Sequence, residues 1–201
     1  MTSPLVHHTP VASERVLALL APALTEPGAV LVDATVGLGG HSRLALDRFP
    51  AIRVIGIDRD PEALEIAAER LSASRERVHL VHAVFDEIPS ILAHQGIACA
   101  NGVLFDLGVS SMQLDEARRG FSYAQDSELD MRMNPGDVLT AADVVNDYAE
   151  EDLVRILRQF GEEKFAPRIA RGIVRAREDH RVSRSSELAS IVKEAIPAAA
   201  R

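Results

Sequence analysis

Four short segments place residues with usable chemistry at regular intervals. Asp33 ends an apolar run and leads into Thr35-Val-Gly37-Leu-Gly39-Gly40-His41-Ser42. Glycines there let the backbone turn sharply and come close to a ligand, where a Cβ would clash. Asp58 ends a second apolar run, eighteen positions after Gly40. A carboxylate at such a strand end can accept hydrogen bonds from ribose hydroxyls, and it suits an adenosine ligand without a 2′-phosphate. Phe85 follows a third run and offers a ring for stacking on a base. Asp106 follows a fourth and opens Asp106-Leu-Gly-Val-Ser-Ser111, near where the reacting end of such a ligand would lie. Each feature alone has a plainer reading: a structural turn for the glycines, a cap or turn for the aspartates, core packing for Phe85. Asp60 is the better-placed helix cap, which leaves Asp58 for a ligand. The glycine spacing is not the G-x-G-x-x-G of dinucleotide binders, and spacing alone does not separate S-adenosylmethionine (SAM) from NAD.

These residues need elements that bring four chain segments to one edge. Ala29 to Asp33, Arg53 to Asp58, Val78 to Val81 and Gly102 to Asp106 read as strands. Ser13 is expected to cap a helix to about Leu20. His41 to Phe49, the stretch after Asp60-Pro61, and Ile88 to Leu92 also read as helices. Strands alternating with helices imply a parallel sheet covered on both faces, with the strand C-termini on the ligand edge. Residues 115 to 139 read as loop, and everything after Thr140 as helix. Apolar stripes recur at Leu153, Ile156, Leu157 and Phe160, at Phe165, Ile169 and Ile173, and at Leu188, Ile191 and Val192, the spacing of packed helices. The expected division is residues 1–114 for an α/β half-sheet and 115–201 for an all-helical subdomain.

The 201 residues carry a net charge of −8, which disfavours non-specific binding of nucleic acid. The balance reverses locally. Lys164, Arg168, Arg171, Arg175, Arg177, Arg181 and Arg184 face only Glu178 and Asp179 in that stretch. Arg168, Arg171 and Arg175 share one helix face, so they suit either phosphate contact or a solvated surface. Arg132, in the long loop, is a further candidate for RNA. No apolar run approaches the ~20 residues of a membrane span, and the N-terminus lacks a secretory pattern. The single cysteine, Cys99, fits a reducing cytoplasm. No metal site is expected: His7 and His8 are adjacent, His79 and His82 point to opposite faces of a strand, and His180 stands among arginines.

The segments His8-Thr-Pro-Val11, Asp33-Ala-Thr35 with Gly37 to Ser42, and Gly56-Ile-Asp-Arg-Asp-Pro61 make a specific set. Phe105 to Ser111, Gln113-Leu-Asp115, Arg119-Gly-Phe-Ser122, Leu129 to Met133, Leu139 to Asn146, Gly161-Glu-Glu163 and Arg168-Ile-Ala-Arg171 extend it. In this order they resemble the bacterial 16S rRNA cytosine-N4 methyltransferases, the RsmH or MraW family. The resemblance implies a Rossmann-like, SAM-dependent (class I) methyltransferase half-sheet, followed by a helical part that faces RNA. It also implies a site in which Gly39, Gly40 and His41 form the SAM loop, Asp58 binds ribose, Phe85 lies beside adenine, and Asp106 and Gln113 line the pocket. The implied substrate is N4 of one cytidine in the decoding region of the small subunit. Met112 departs from the family's usual proline. The family's chain also continues past the equivalent of Arg201, including a His-Pro-Ala-Thr-Arg segment. This sequence therefore reads as a truncated member, expected to expose its fourth strand, to be unstable or self-associating, and to be inactive or nearly so on ribosomal RNA.

SAM is an activated donor, so no covalent intermediate with the enzyme is needed. Asp106 is the candidate catalytic group, accepting hydrogen bonds from the cytosine amino protons; it equally suits a role limited to holding SAM. Cys99 precedes the fourth strand, so no thiol is placed to attack a ring carbon. An NAD-dependent oxidoreductase is disfavoured by the glycine spacing and by the lack of a Lys or Tyr acid–base pair. A non-catalytic RNA-binding or assembly protein is the remaining alternative.

Overall fold

The computed structural model describes residues 10–198, so His7, His8 and Thr9 lie outside it. By packing, the chain divides into two units, one through Gly108 and one from Val109. In the first, strands β1 (Val30–Asp33), β2 (Arg53–Asp58), β3 (Val78–His82) and β4 (Gly102–Leu104) form a parallel sheet in the order β3-β2-β1-β4. Val32 stands opposite Ile55 on one side and Val103 on the other. β1 is buried along its whole length, as a central parallel strand covered on both faces should be. Leu31 and Val54 pack on one face with Leu17 and Leu24 of α1 (Ser13–Leu24) and Ala45 and Leu46 of α2 (Gly40–Arg48). On the other face Val30, Val32, Ile55 and Ile57 pack with Ile91 of α4 (Ile88–His94). α3 (Pro61–Arg70) opens as expected, with Asp60 accepting from the Glu62 N–H at 3.1 Å and Pro61 at the first position.

Two expectations for this unit need correction. Ser13 does not cap α1; it is the first helical residue. The cap is Ala12, in the left-handed region (φ 48°), with no side-chain bond, and the Val16 N–H closes on its carbonyl at 3.0 Å. The helix also runs past Leu20, through Pro22, to Leu24. The second correction concerns β4, which stops at Leu104, so Phe105 and Asp106 lie beyond the ladder.

The second unit is helical: α5 (Ser111–Asp115), a 3₁₀ turn (Ala117–Arg119), a long loop, then α6 (Ala141–Asp147), α7 (Glu150–Gln159), α8 (Ala166–Arg177) and α9 (Ser185–Ala195). Thr140 and Asp143 cap α6 reciprocally. Leu153, Ile169, Ala170, Ile173 and Val182 form the core, with Leu188, Ile191 and Val192 packed against it. Phe160 does not join its stripe: α7 ends at Gln159, and the ring is exposed. Within the loop, the buried Arg119 donates to the carbonyls of Arg132 (3.2 Å) and Met133 (2.7 Å). No helix among the described residues is long and apolar enough to cross a membrane.

Candidate functional site

Where β1 ends, the chain must leave the sheet and restart as α2 within a few residues. Gly37 (φ 51°) and Gly39 (φ 79°) make that turn in the left-handed region, where a side chain is strained. A Cβ on Gly39 would also meet the Leu71 side chain at 3.3 Å. The turn is tied to its neighbours. The Val36 N–H donates to the Ile57 carbonyl at 2.9 Å, and the Gly37 N–H donates to Asp58 Oδ2 at 2.8 Å. The other Asp58 oxygen accepts from the Asp60 N–H at 2.9 Å. Asp58 is thus not idle, as the sequence suggests; it locks the glycine turn to the end of β2. Among the described residues no cation pairs with it, and burial raises its pKa above the ordinary carboxylate value. Each oxygen still has capacity for a second donor.

Asp33 is fully buried. One of its oxygens accepts from the Ser42 hydroxyl at 2.6 Å, which staples β1 to the first turn of α2; the other has no partner among the described residues. Burial pushes this carboxyl up to about 6, against the opposing effects of the Ser42 hydrogen bond and the nearby His41. His41 is buried beside it. Its Nε2 lies 3.0 Å from the Val11 carbonyl, and a carbonyl can only accept, so Nε2 carries the hydrogen. Nδ1 then faces Asp106 Oδ2 at 3.7 Å. Asp106 itself is held by its backbone: its N–H donates to Thr35 Oγ1 at 2.7 Å. Phe85 begins a 3₁₀ turn after β3 and stays half exposed. β3 and β4 are the outer strands, yet the segment leaving β3 brings Phe85 edge-on to Phe105, with centroids 5.6 Å apart and planes at 87°.

One edge of the first unit thus gathers Gly39, Gly40, His41, Asp58, Phe85 and Asp106. Gln113 lies in the second unit, where it caps α5: its Oε1 accepts from the Ser110 N–H at 3.0 Å. Sequence reasoning misses the parts played by Asp33, Thr35, Ser42 and Phe105. Asp33 and Ser42 are nine residues apart on a strand end and a helix start, a spacing that could suggest the staple. The other two depend on which strands neighbour each other.

In the second unit the basic stretch separates into two groups. Arg177 donates to the Val145 carbonyl, Arg181 pairs with Asp147 and Asp143, and Arg184 pairs with Asp126. Arg168, Arg171 and Arg175 stay exposed on α8, opposite the buried Ile169, Ala170 and Ile173. Arg171 lies 3.8 Å from Glu150, while Lys164, Arg168 and Arg175 have no partner among the described residues. Arg132, in the long loop, is engaged within its own segment. Its guanidinium grips Asp130 through Nε (3.0 Å) and Nη2 (2.6 Å), and Nη1 donates to the Asp137 carbonyl at 2.8 Å. His180 is not isolated either: its Nε2 lies 2.6 Å from Glu187, and its bonds to Asp179 and Glu187 raise its pKa.

Comparison with known proteins adds the family. Residues 5–201 match the MraW methylase family. The chain belongs to that family. It is 55% identical over 196 residues to the "Ribosomal RNA small subunit methyltransferase H" of Parafrankia sp., covering 98% of this chain and 60% of the relative. The protein of the same name from Frankia alni is 58% identical over 195 residues, 96% of this chain and 60% of its own length. That of Thermobifida fusca is 54% identical over 199 residues, 99% of this chain and 60% of its own. The chain thus spans about 60% of the length of these curated relatives.

Proposed function

We propose that this chain forms the SAM-binding part, and an RNA-facing helical part, of a methyltransferase acting in the cytoplasm on N4 of a cytidine in the decoding region of 16S rRNA. The observation that carries the reading is Asp58: a carboxylate held beside a glycine turn by two backbone N–H groups, with no cation among the described residues to neutralise it. Such a group suits paired ribose hydroxyls. Gly39 and Gly40 allow close approach, the first turn of α2 offers free N–H groups, and the half-exposed Phe85 ring suits the adenine.

SAM supplies a methyl group already activated as a sulfonium. The protein's task is then to hold the acceptor nitrogen in line with it and to relieve the charge that develops. Cytosine N4 is a poor nucleophile because its lone pair is delocalised into the ring. Asp106 is the acceptor placed to take hydrogen bonds from the amino protons and to offset positive charge on N4. Cys99 is exposed and precedes β4, so no thiol is set for attack at C5. A target base in structured RNA must be splayed out to reach the donor. Arg168, Arg171 and Arg175 suit the flanking phosphates.

Two measurements test this. Calorimetric titration of the chain should show SAM binding and no NAD binding; the reverse would replace the reading with an oxidoreductase. A chain of the relatives' full length should transfer labelled methyl to small subunits and yield N4-methylcytidine on nucleoside analysis. Recovery of 5-methylcytidine instead would remove the role given to Asp106.

A further inference from the structure

β1 and β4 run side by side and then part. The last regular bond between them is from the Ala34 N–H to the Leu104 carbonyl, at 2.9 Å. In a parallel ladder the next rung would take the Asp106 N–H to the Ala34 carbonyl. That rung is replaced: the Asp106 N–H goes to the side chain of Thr35, at 2.7 Å. The substitution lets the backbone at Thr35 turn away into the glycine loop while Asp106 stays docked on β1. Thr35 is β-branched, so its hydroxyl is held in few rotamers. On the far side of the turn, His41 is fixed by the Val11 carbonyl at 3.0 Å, and its Nδ1 comes within 3.7 Å of Asp106 Oδ2. The distance from His41 to Asp106 is therefore set by two contacts that neither residue makes with the other.

We propose that Thr35 is a positioning residue of this site, whose hydroxyl extends the β1–β4 ladder by one side-chain rung and so fixes the Asp106 carboxylate opposite His41. Thr35 itself need not touch the ligand. The inference rests on the SAM reading for its ligand arm but not for its geometry. Asp106 would meet the amino-acid end of SAM, beside the target base, and the adenosine end is held elsewhere, by Asp58 and Phe85. Loss of the Thr35 hydroxyl should therefore affect ligands unequally.

Thr35→Val keeps the shape and removes the acceptor, and Thr35→Ser keeps the hydroxyl. Amide hydrogen exchange on the unliganded chain is expected to show Asp106 exchanging about tenfold faster in Thr35→Val than in wild type or Thr35→Ser. Calorimetry is expected to show SAM binding weakened about tenfold in Thr35→Val and within twofold of wild type in Thr35→Ser. Affinity for 5′-methylthioadenosine, which lacks the amino-acid end, should be unchanged in both. Equal weakening for the two ligands would mean general loosening of the turn and would overturn the proposal. So would unchanged Asp106 exchange in Thr35→Val, or a Thr35→Ser variant as weak as Thr35→Val. If wild type binds no SAM, the cofactor reading falls, and the exchange data alone decide whether Thr35 fixes Asp106.

Discussion

The aspartates at the strand ends of the sheet unit and those at the loops and helix junctions of the helical unit are held in opposite ways. In the sheet unit, Asp33, Asp58 and Asp60 are held at strand ends by hydroxyl and backbone N–H groups, with no arginine or lysine at Asp33 or Asp58 among the described residues. In the helical unit, Asp126, Asp130, Asp143 and Asp147 each pair with an arginine. Burial raises the pKa of Asp33 and Asp58, whereas hydrogen bonding and pairing lower those of Asp126, Asp130, Asp143 and Asp147. The first arrangement stores unsatisfied acceptor capacity beside the glycine turn, which a ligand's hydroxyls can use. The second consumes acidic groups in fixing loops and helix junctions, while Lys164, Arg168 and Arg175 of the basic stretch have no partner among the described residues. On the proposed function, the contrast separates the edge that takes SAM from a surface suited to a polyanion.

The contrast is tested most strongly at Asp33. Its folded value, about 6, lies above its unfolded value, so the stability it contributes is present below about pH 4 and lost as pH rises through 6. That interval is worth up to about 3 kcal/mol. Asp33→Asn keeps an acceptor for Ser42 and cannot ionise. Unfolding in denaturant at a series of pH values should show wild type losing stability relative to Asp33→Asn between about pH 4 and 6. A constant difference would mean that folding does not disfavour the charged carboxyl, and the contrast would lose its sheet half.

At Asp58 the expected effect falls on the ligand. Asp58→Ala should weaken SAM binding by about tenfold to a hundredfold, the ~1.5–3 kcal/mol of a hydrogen bond to a charged group. Because the Gly37 and Asp60 N–H groups lose their acceptor too, the melting temperature should also fall slightly. Unchanged affinity in a folded variant would remove the cofactor assignment.

How legible each part is in the sequence follows the same division. β1 to β3 can be placed within about a residue, because short apolar runs ending in aspartate or turn residues carry a local signal. The Asp60-Pro61 start of α3 is local chemistry and is equally plain. The contacts of Thr35 with Asp106 and of Phe85 with Phe105 join residues far apart in sequence, and depend on a sheet order that no single segment encodes. Asp58 looks free in the sequence because its bond to the Gly37 N–H forms only when β1 and β2 lie together. The seven basic residues from Lys164 to Arg184 look uniform because the acidic partners of Arg181 and Arg184, namely Asp126, Asp143 and Asp147, come from other elements.

On the helical side, replacing Arg168, Arg171 and Arg175 with Gln should leave SAM affinity unchanged and flatten the salt dependence of RNA binding. The slope of log affinity against log salt should drop by roughly 0.7 to 0.9 for each phosphate contact removed. Arg171 should contribute least of the three, because Glu150 lies 3.8 Å from it. An unaltered slope would return the α8 face to a merely solvated one.

The smallest effect on RNA is expected at Arg132, which shares its charge with the α8 arginines but not their exposure. Its Nε and Nη2 are engaged by Asp130, and Nη1 by the Asp137 carbonyl. A phosphate would have to break that grip and leave Asp130 facing another anion, so repulsion would offset the new attraction. Arg132→Gln should therefore leave the salt slope where it is. The change should appear in the loop: with its clamp gone, amide exchange between Asp130 and Leu139 should quicken, and the melting temperature should fall modestly. Comparing Arg132→Gln with Arg175→Gln under the same salt series makes this a within-protein control for charge, since each removes one arginine. If Arg132→Gln lowered the slope as much as Arg175→Gln, ion pairing would not be what divides these arginines, and the contrast between the two units would lose its helical half.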